Sequence, residues 1–392
     1  MTSLVALSEE QLRAGPGLKW GRASPGVIPA DIAELDFAVA PPIRAALRDA
    51  VDRSDLGYPD YATGAPARLA ELFARRVERQ WGWHANPAAT EVCAQITQAL
   101  CCAILAFTRP GDQVLTHSPT YPPFIEAIRS LGRRTVLVPA GDLSEKSMAT
   151  AWARAAEARN IRLIVLCQPH NPTGHVFDPG TLDEIARLAE SCDAVIFADE
   201  IHAEIVYAGT HFRSIASVSA AAERTIVFTS AAKSFNIAGL RCAVGHFGAD
   251  DLHARFQRLP WHLRSGASAL GLVATIAAWE LCDEWLDQLR TQLSANRAIL
   301  LEFMSSFEQA HVRSPAATYL AWIDLRAAGI GPDAGAFLVN AGKIALHPGS
   351  LFGASLGGFV RLNFGTSTAR LEIILERLGG ALEKRHGKGR QK

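Results

Sequence analysis

Four short runs of apolar residues lie between residues 90 and 250, and helical patterns separate them. The runs are continuous rather than alternating, which is typical of strands that are buried on both faces of a sheet. Strands that alternate with helices predict a mostly parallel sheet with helices on both sides. The four runs are Gln113–Thr116, Arg162–Cys167, Ala194–Ala198 and Thr225–Thr229. The chain is therefore predicted to be an α/β protein.

Chemically different side chains follow these runs, where the strands are expected to end. They are Tyr121 after the first run, Asn171 after the second, Asp199 and His202 after the third, and Lys233 after the fourth. Ligands of such sheets bind beyond the carboxyl ends of the strands. We therefore expect an aromatic ring, an amide, a carboxylate, an imidazole and an amine at one rim of the sheet.

The length of 392 residues favours two lobes over a single core. Two later segments, Ala317–Asp324 and Gly358–Phe364, have the alternation that is typical of strands in a smaller sheet. We predict an N-terminal segment at residues 1–50 that packs with a small domain at residues 286–392. Residues 51–285 are predicted to form a large, cofactor-binding domain.

The composition excludes several classes of protein. Lys and Arg total 39, as do Asp and Glu, so nothing indicates a nucleic-acid groove or a membrane surface. The seven cysteines show neither a CxxC pair nor metal-ligand spacing, and most lie in apolar runs. The first ten residues lack the pattern of a signal peptide. We expect a cytoplasmic protein that acts on a small molecule and holds no metal.

The lysine after the fourth strand has the neighbours that a pyridoxal phosphate (PLP) anchor needs. Lys233 can bind the cofactor's aldehyde covalently, while Ser230 and Arg241 can hold its phosphate. The helix predicted to begin near Ile96 and Thr97 offers free backbone amides to the same phosphate. The alternatives are a solvated surface lysine and an ordinary helix cap.

The other strand-end residues suit the ring of PLP. A buried carboxylate at Asp199 can keep the pyridine nitrogen protonated. Asn171 can donate to the phenolic oxygen, Tyr121 can stack on the ring, and His202 can touch its edge. Helix capping by Asp199, a turn at Asn171 and a core position for His202 are the structural alternatives.

An arginine lies inside the second of the late apolar segments. Burial of Arg361 is costly without an anionic partner. The carboxylate of an amino-acid substrate is one such partner, and a structural ion pair is the other.

Together these residues resemble the fold-type I PLP enzymes of the class I/II aminotransferase family, over nearly the whole chain. Within that family the chain resembles the MalY/PatB-type C–S lyases, or cystathionine β-lyases. The segments that carry the resemblance are Ala33–Phe37, Ala198–His202, Lys233–Gly239, Thr318–Asp324 and Arg361–Phe364. It implies a large domain with a mostly parallel, seven-stranded sheet between helices, and a smaller α/β domain.

The resemblance also implies a homodimer with active sites at the interface. Tyr58 would reach the phosphate of the neighbouring subunit, with Tyr61 as its rival, and Ala33 would join Asn171 at the substrate. Two segments depart from the family pattern: residues 29–32 replace a usual Trp-Val pair, and Gln95 stands where glycine is common. These departures leave the natural substrate open.

The implied reaction is α,β-elimination on an S-substituted cysteine, either cystathionine or a cysteine S-conjugate, to a thiol, pyruvate and ammonia. Lys233 would remove the α-proton, and Tyr121 or the neighbouring subunit's Tyr58 would protonate the thiolate. Alternatives are transamination, a conjugate lyase or decarboxylating deaminase of specialised metabolism, and a non-catalytic PLP-binding regulator. The presence of Lys233, Asp199 and Arg361 together favours an enzyme.

Overall fold

The computed structural model describes residues 3–139, 150–152, 154–155 and 160–389, with side chains to residue 385. The strands are Ile28–Pro29 (β1), Thr90–Cys93 (β2), Gln113–Ser118 (β3), Arg134–Pro139 (β4), Ile161–Cys167 (β5), Val195–Asp199 (β6), Thr225–Thr229 (β7), Ala243–Phe247 (β8), His311–Val312 (β9), Leu320–Asp324 (β10), Ile344–Ala345 (β11), His347–Pro348 (β12) and Phe359–Asn363 (β13).

The helices with both ends described are Glu9–Ala14 (α1), Pro41–Asp52 (α2), Ala65–Trp81 (α3), Ile96–Phe107 (α4), Pro122–Ser130 (α5), Pro179–Cys192 (α6), Ser219–Ala222 (α7), Asp250–Gln257 (α8), Trp261–Arg264 (α9), Ala269–Leu281 (α10), Asp283–Ser305 (α11), Ala334–Gly342 (α12) and Thr368–Gly389 (α13). Four of them begin with proline at the first or second position, where its missing N–H costs nothing.

The large sheet has seven strands in the order β2-β8-β7-β6-β5-β3-β4. From β7 to β4 every neighbouring pair is parallel, and β8 is antiparallel to both β7 and β2. The four strands predicted from apolar runs are β3, β5, β6 and β7. The predicted fold class, an α/β protein with a mostly parallel seven-stranded sheet, is confirmed.

Strand β5 shows why the apolar runs are continuous. Leu163 and Val165 join a core that includes residues of α4, α5 and α8, while Ile164 and Leu166 join another that includes residues of α6. Because helices cover both faces of the sheet, every position from Leu163 to Cys167 is buried, and only Arg162 at the start of the strand is exposed.

A second, four-stranded sheet has the antiparallel order β12-β13-β10-β9 and contains both predicted late strands. The N-terminal segment reaches this lobe: β1 pairs with β11, and the N–H of Asp36 donates to Gly365 O at 2.9 Å. Helix α2, however, packs on α10. The predicted boundary at residue 286 falls inside α11. The three-part division therefore stays a prediction.

The described ranges contain neither a membrane-spanning helix nor a cluster of metal-ligating side chains. None of the helices there combines the length and apolarity needed to cross a bilayer. No group of three or more His, Cys, Asp or Glu side chains in the same ranges could hold a metal ion.

Candidate active site

The predicted strand-end residues meet at one rim of the large sheet. Asp199 ends β6 beside Cys167, the last residue of β5, and its other register partner is Phe228 in β7. Ser230 follows β7 directly, and Lys233 lies in the turn after it. The parallel direction of β5, β6 and β7 thus brings their carboxyl ends to one place, as expected for a ligand site.

Lys233 is held by a main-chain acceptor from the N-terminal segment. Its Nζ donates to the carbonyl oxygen of Ala33 at 2.8 Å. Burial and the nearby Arg361 lower the pKa of Lys233 to about 8, against the opposing effect of Glu34 and Asp199. An oriented amine that is partly neutral near physiological pH can act as a nucleophile or base, unlike a solvated lysine.

Asp199 is a buried carboxylate with few polar partners. Its Oδ1 accepts the N–H of Ile201 at 3.1 Å, which caps a turn rather than a helix. No cationic side chain of the described ranges lies within 4.0 Å of it. Burial raises its pKa to about 6, although the Ile201 N–H and Lys233 oppose the shift. A protonated pyridine nitrogen is the kind of cation that would stabilise the ionised form.

His202 and Tyr121 are neutral groups of the same site, His202 near Lys233 and Arg361 and Tyr121 near Asp199. His202 is 1% exposed, its ring lies edge-on to that of Tyr319, and burial lowers its pKa to about 3. Its Nδ1 has no hydrogen-bond partner among the described residues. Burial also raises the pKa of Tyr121, with Asp199 acting in the same direction, so its hydroxyl keeps its proton. Both side chains can therefore serve as hydrogen-bonding groups without charge.

Arg361 is fixed by three neutral acceptors. Its Nη1 donates to Asn171 Oδ1 at 2.9 Å, and its Nη2 donates to Asp31 O at 2.6 Å and to His347 Nδ1 at 2.9 Å. No carboxylate in the described part of the chain lies within 4.0 Å of the guanidinium, so the structural ion pair is not found there. Burial lowers its pKa to about 10, and its Nε has no described partner. This buried cation is suited to an incoming carboxylate.

Asn171 accepts a hydrogen bond from Arg361 through its side-chain oxygen. Because Asn171 Oδ1 accepts from Arg361, the Nδ2 amide remains a donor, as the predicted contact with the phenolic oxygen of PLP requires. Asn171 is 7% exposed and lies in the segment after β5. The same side chain can thus link the substrate cation to a cofactor ring.

The predicted phosphate-binding groups also lie near one another. Helix α4 begins at Ile96, and its N-cap residue, Gln95, makes no capping bond with its side chain, so the first amides are available to an anion. Gln95 instead accepts from the guanidinium of Arg241 through its side-chain oxygen. The hydroxyl of Ser230 donates to Cys242 O at 2.6 Å. Phosphate binding by Thr97, Ser230 and Arg241 stays a prediction.

The two rival tyrosines occupy different environments. Tyr58 is fully exposed. The hydroxyl of Tyr61 accepts the N–H of Gly266 at 3.2 Å, and its ring lies edge-on to Trp261. Tyr61 therefore contacts residues of its own subunit. The contact of Tyr58 with a second subunit stays a prediction.

The sequence analysis missed a set of contacts that fixes residues 31–37. Tyr319 donates through its hydroxyl to Ala33 O at 3.1 Å, and Asn363 donates to the carbonyls of Ile32 and Glu34. Asn236 Nδ2 donates to the carbonyl oxygens of Leu35 and Phe37. These three side chains fall in segments that carried the family resemblance, which was the available signal. The carbonyl acceptors cannot be predicted from a sequence, because every residue has a carbonyl group.

These residues fit PLP. The oriented amine matches the aldehyde, and the free first amides of α4 match the phosphate. Among the described residues, the Asp199 carboxylate has no cation within 4.0 Å and His202 Nδ1 has no hydrogen-bond partner, which suits the pyridine nitrogen and the ring edge. Lys233, Asp199, His202 and the first turn of α4 are thus the groups that would hold the cofactor.

Comparison with known proteins agrees with this chemistry. The model of the family "Aminotransferase class I and II" matches residues 27–378. A cystathionine β-lyase from Corynebacterium glutamicum is 34% identical over 95% of this chain and 98% of its own length. The cystathionine β-lyase PatB from Bacillus subtilis is 30% identical over 91% of this chain and 92% of its own. A Corynebacterium diphtheriae structure, described as a PLP-dependent β-cystathionase, superposes with a TM-score of 0.89 at 33% identity, covering 97% of this chain and 99% of that one.

A mostly parallel sheet with a lysine, an aspartate and an asparagine at its rim defines a fold-type I enzyme scaffold. The chain belongs to the class I and II aminotransferase family, and within it to the MalY/PatB-type C–S lyases. The family resemblance recognised from the sequence is confirmed.

Proposed function

We propose that the chain is a PLP-dependent C–S β-lyase that acts on an S-substituted L-cysteine, such as cystathionine or a cysteine S-conjugate. With one water, α,β-elimination and hydrolysis give a thiol, pyruvate and ammonia. PLP, when bound, supplies the electron sink that stabilises negative charge at Cα. The observation that carries the proposal is that Arg361, a buried cation without an anion within 4.0 Å in the described ranges, shares a rim with the Lys233 amine.

Lys233 is the proposed base. Its lowered pKa, about 8, gives a substantial neutral fraction at physiological pH, and the bond to Ala33 O restricts where the amine points. Nζ accepts the α-proton and holds it while the C–S bond breaks. Asp199, whose carboxylate is buried at the end of β6, keeps the proton on the pyridine nitrogen.

Arg361 is the proposed receptor for the substrate carboxylate, and Asn171 and Ala33 line the same place. A guanidinium fixed by neutral groups keeps its full charge for the ligand. Tyr121, whose hydroxyl keeps its proton because its pKa is raised, is a proposed donor to the departing thiolate. Tyr58 of the partner subunit is the other candidate donor.

The proposed assembly is a homodimer in the cytoplasm. Tyr58 is fully exposed, and Leu56, Trp261 and Leu263 are each 41–54% exposed, which is a pattern typical of surfaces that a partner covers. All seven cysteines are unpaired thiols, as expected in a reducing compartment.

One assay tests the proposed reaction. Purified protein reconstituted with PLP is mixed with L-cystathionine and other S-substituted cysteines, with and without an α-keto acid, while pyruvate and free thiol are measured. Pyruvate and thiol without a keto acid support the lyase. Amino transfer that depends on the keto acid, with no pyruvate, contradicts it. The Lys233→Ala variant is the control for non-enzymatic breakdown.

A further inference from the structure

His347 contacts the guanidinium that is proposed to bind the substrate. It opens β12, and its register partner in β13 is Arg361 itself. The imidazole Nδ1 lies 2.9 Å from Arg361 Nη2. We propose that His347 is a positioning residue, which holds Arg361 for the α-carboxylate of the substrate by accepting a hydrogen bond as a neutral imidazole. This inference rests on the carboxylate-binding role of Arg361 in the proposed function.

The direction of the hydrogen bond fixes the tautomer. A guanidinium has only donors, so His347 Nδ1 has to be the acceptor, and the ring proton lies on Nε2. Burial and the adjacent Arg361 lower the pKa of His347 to about 4, although the carbonyl of Asp31 opposes this. The neutral acceptor is therefore the dominant form near neutral pH.

The reason for a neutral acceptor lies in the charge of the site. The other two groups on Arg361, Asn171 Oδ1 and Asp31 O, are also neutral. Three neutral acceptors orient the cation without compensating its charge, so its attraction to a carboxylate is kept. An anionic side chain at position 347 would form an internal ion pair and compete with the substrate.

Phe352 supports the geometry of both partners. The Arg361 guanidinium carbon lies 5.1 Å from the centroid of its ring, and the His347 ring meets it edge-on at 5.0 Å. The aromatic ring thus restricts the imidazole and the guanidinium together, which favours one arrangement of the pair.

Three variants at position 347 distinguish the effects of the hydrogen-bond acceptor, the shape and the charge of the side chain. His347→Leu removes the acceptor, and we expect the KM for the amino-acid substrate to rise about 10- to 100-fold with kcat within about 3-fold, from the usual strength of a hydrogen bond to a charged group. His347→Gln restores an acceptor and should recover most of the loss. His347→Glu should raise KM at least as much as His347→Leu, because it neutralises Arg361.

A binding measurement isolates the carboxylate. L-Alanine and ethylamine differ only in that group, and both are titrated against the holoenzyme through the absorbance of its cofactor. In His347→Leu we expect weaker L-alanine binding by the same factor as KM, and unchanged ethylamine binding. Equal weakening of both ligands, or a normal L-alanine affinity, would overturn the proposal. If Arg361→Gln leaves L-alanine binding unchanged, the proposed role of Arg361 in binding the carboxylate is wrong, which is a different result from failure of the His347 proposal.

Discussion

Lys233 Nζ lies 2.8 Å from the carbonyl oxygen of Ala33, a residue 200 positions away in the chain. Because this acceptor is a main-chain carbonyl and does not titrate, a change of pH does not remove the acceptor that orients the amine. Tyr319 donates to the same carbonyl oxygen from the small sheet's β9–β10 region. The candidate base is therefore placed by residues from two distant parts of the chain, Ala33 directly and Tyr319 through the shared carbonyl.

Replacement of Lys233 by alanine removes the proposed base and the covalent anchor. We expect lyase activity to fall by about 10³-fold or more, since general base catalysis typically contributes up to about 10⁴-fold. Pyruvate release gives the rate, and mass spectrometry after borohydride treatment should show no cofactor linked to the chain. An unchanged melting curve is the control for folding. Activity above a tenth of the wild-type value would place the base elsewhere.

Replacement of Asp199 by asparagine keeps the shape of the side chain but removes its charge. We expect PLP to stay bound and kcat to fall about 10²-fold or more, because a preorganised charge at the pyridine nitrogen is lost. Asp199→Glu, which keeps the charge on a longer side chain, should retain more activity than Asp199→Asn. The reverse order would argue against an electrostatic role.

Glu200 provides a test in stability rather than activity. Burial raises its pKa from 4.5 to about 8, despite opposing bonds from Ser214 and Ile215. A carboxyl with a raised folded-state pKa contributes stability that is complete below about pH 4.5 and is lost as the pH rises through about 8. Glu200→Gln is always neutral, so its melting temperature relative to wild type should increase from pH 5 to pH 9. A constant difference would show that Glu200 is ionised in the folded protein.

Mixing two inactive variants tests the shared active site. If Tyr58 serves the neighbouring subunit, a dimer of Tyr58→Ala and Lys233→Ala chains contains one site with both changes and one with neither. Random exchange should then restore about a quarter of wild-type activity, as a twofold dimer requires. Failure to recover activity, with exchange verified by native mass spectrometry, would place Tyr58 outside the neighbouring site. A Tyr61→Ala chain mixed in the same way is the matched control.

The sequence predicted the buried centre of the large sheet better than its edges. Strand β5 is continuously apolar from Leu163 to Cys167 because helices cover both faces, and that signal is visible in a single sequence. Strand β4 lies at the sheet edge, where Arg134 and Leu137 are exposed, so its pattern is irregular. The antiparallel direction of β8 depends on the path of the connecting chain, which residue types do not encode.

For the site, the sequence predicted side chains that follow strands and missed their partners. Asp199, Asn171 and Lys233 could be found because each follows a recognisable strand. The acceptors at Ala33 and Asp31 are carbonyl oxygens, which every residue possesses. His347 is in a two-residue strand with no pattern of its own, so only the register with β13 reveals its contact.

The hydrogen bonds of residues 31–36 have a consequence for protein synthesis. Four partners of this segment, Tyr319, Arg361, Asn363 and Gly365, are made about 290 to 330 residues after it. Although Lys19 and Asn236 can bind this segment earlier, its bonds to Arg361 and Asn363 cannot form until β13 has been translated, about 330 residues after the segment itself. Catalytic competence is thus acquired only after β13 has been translated, and an aborted chain that lacks this strand cannot become an active enzyme.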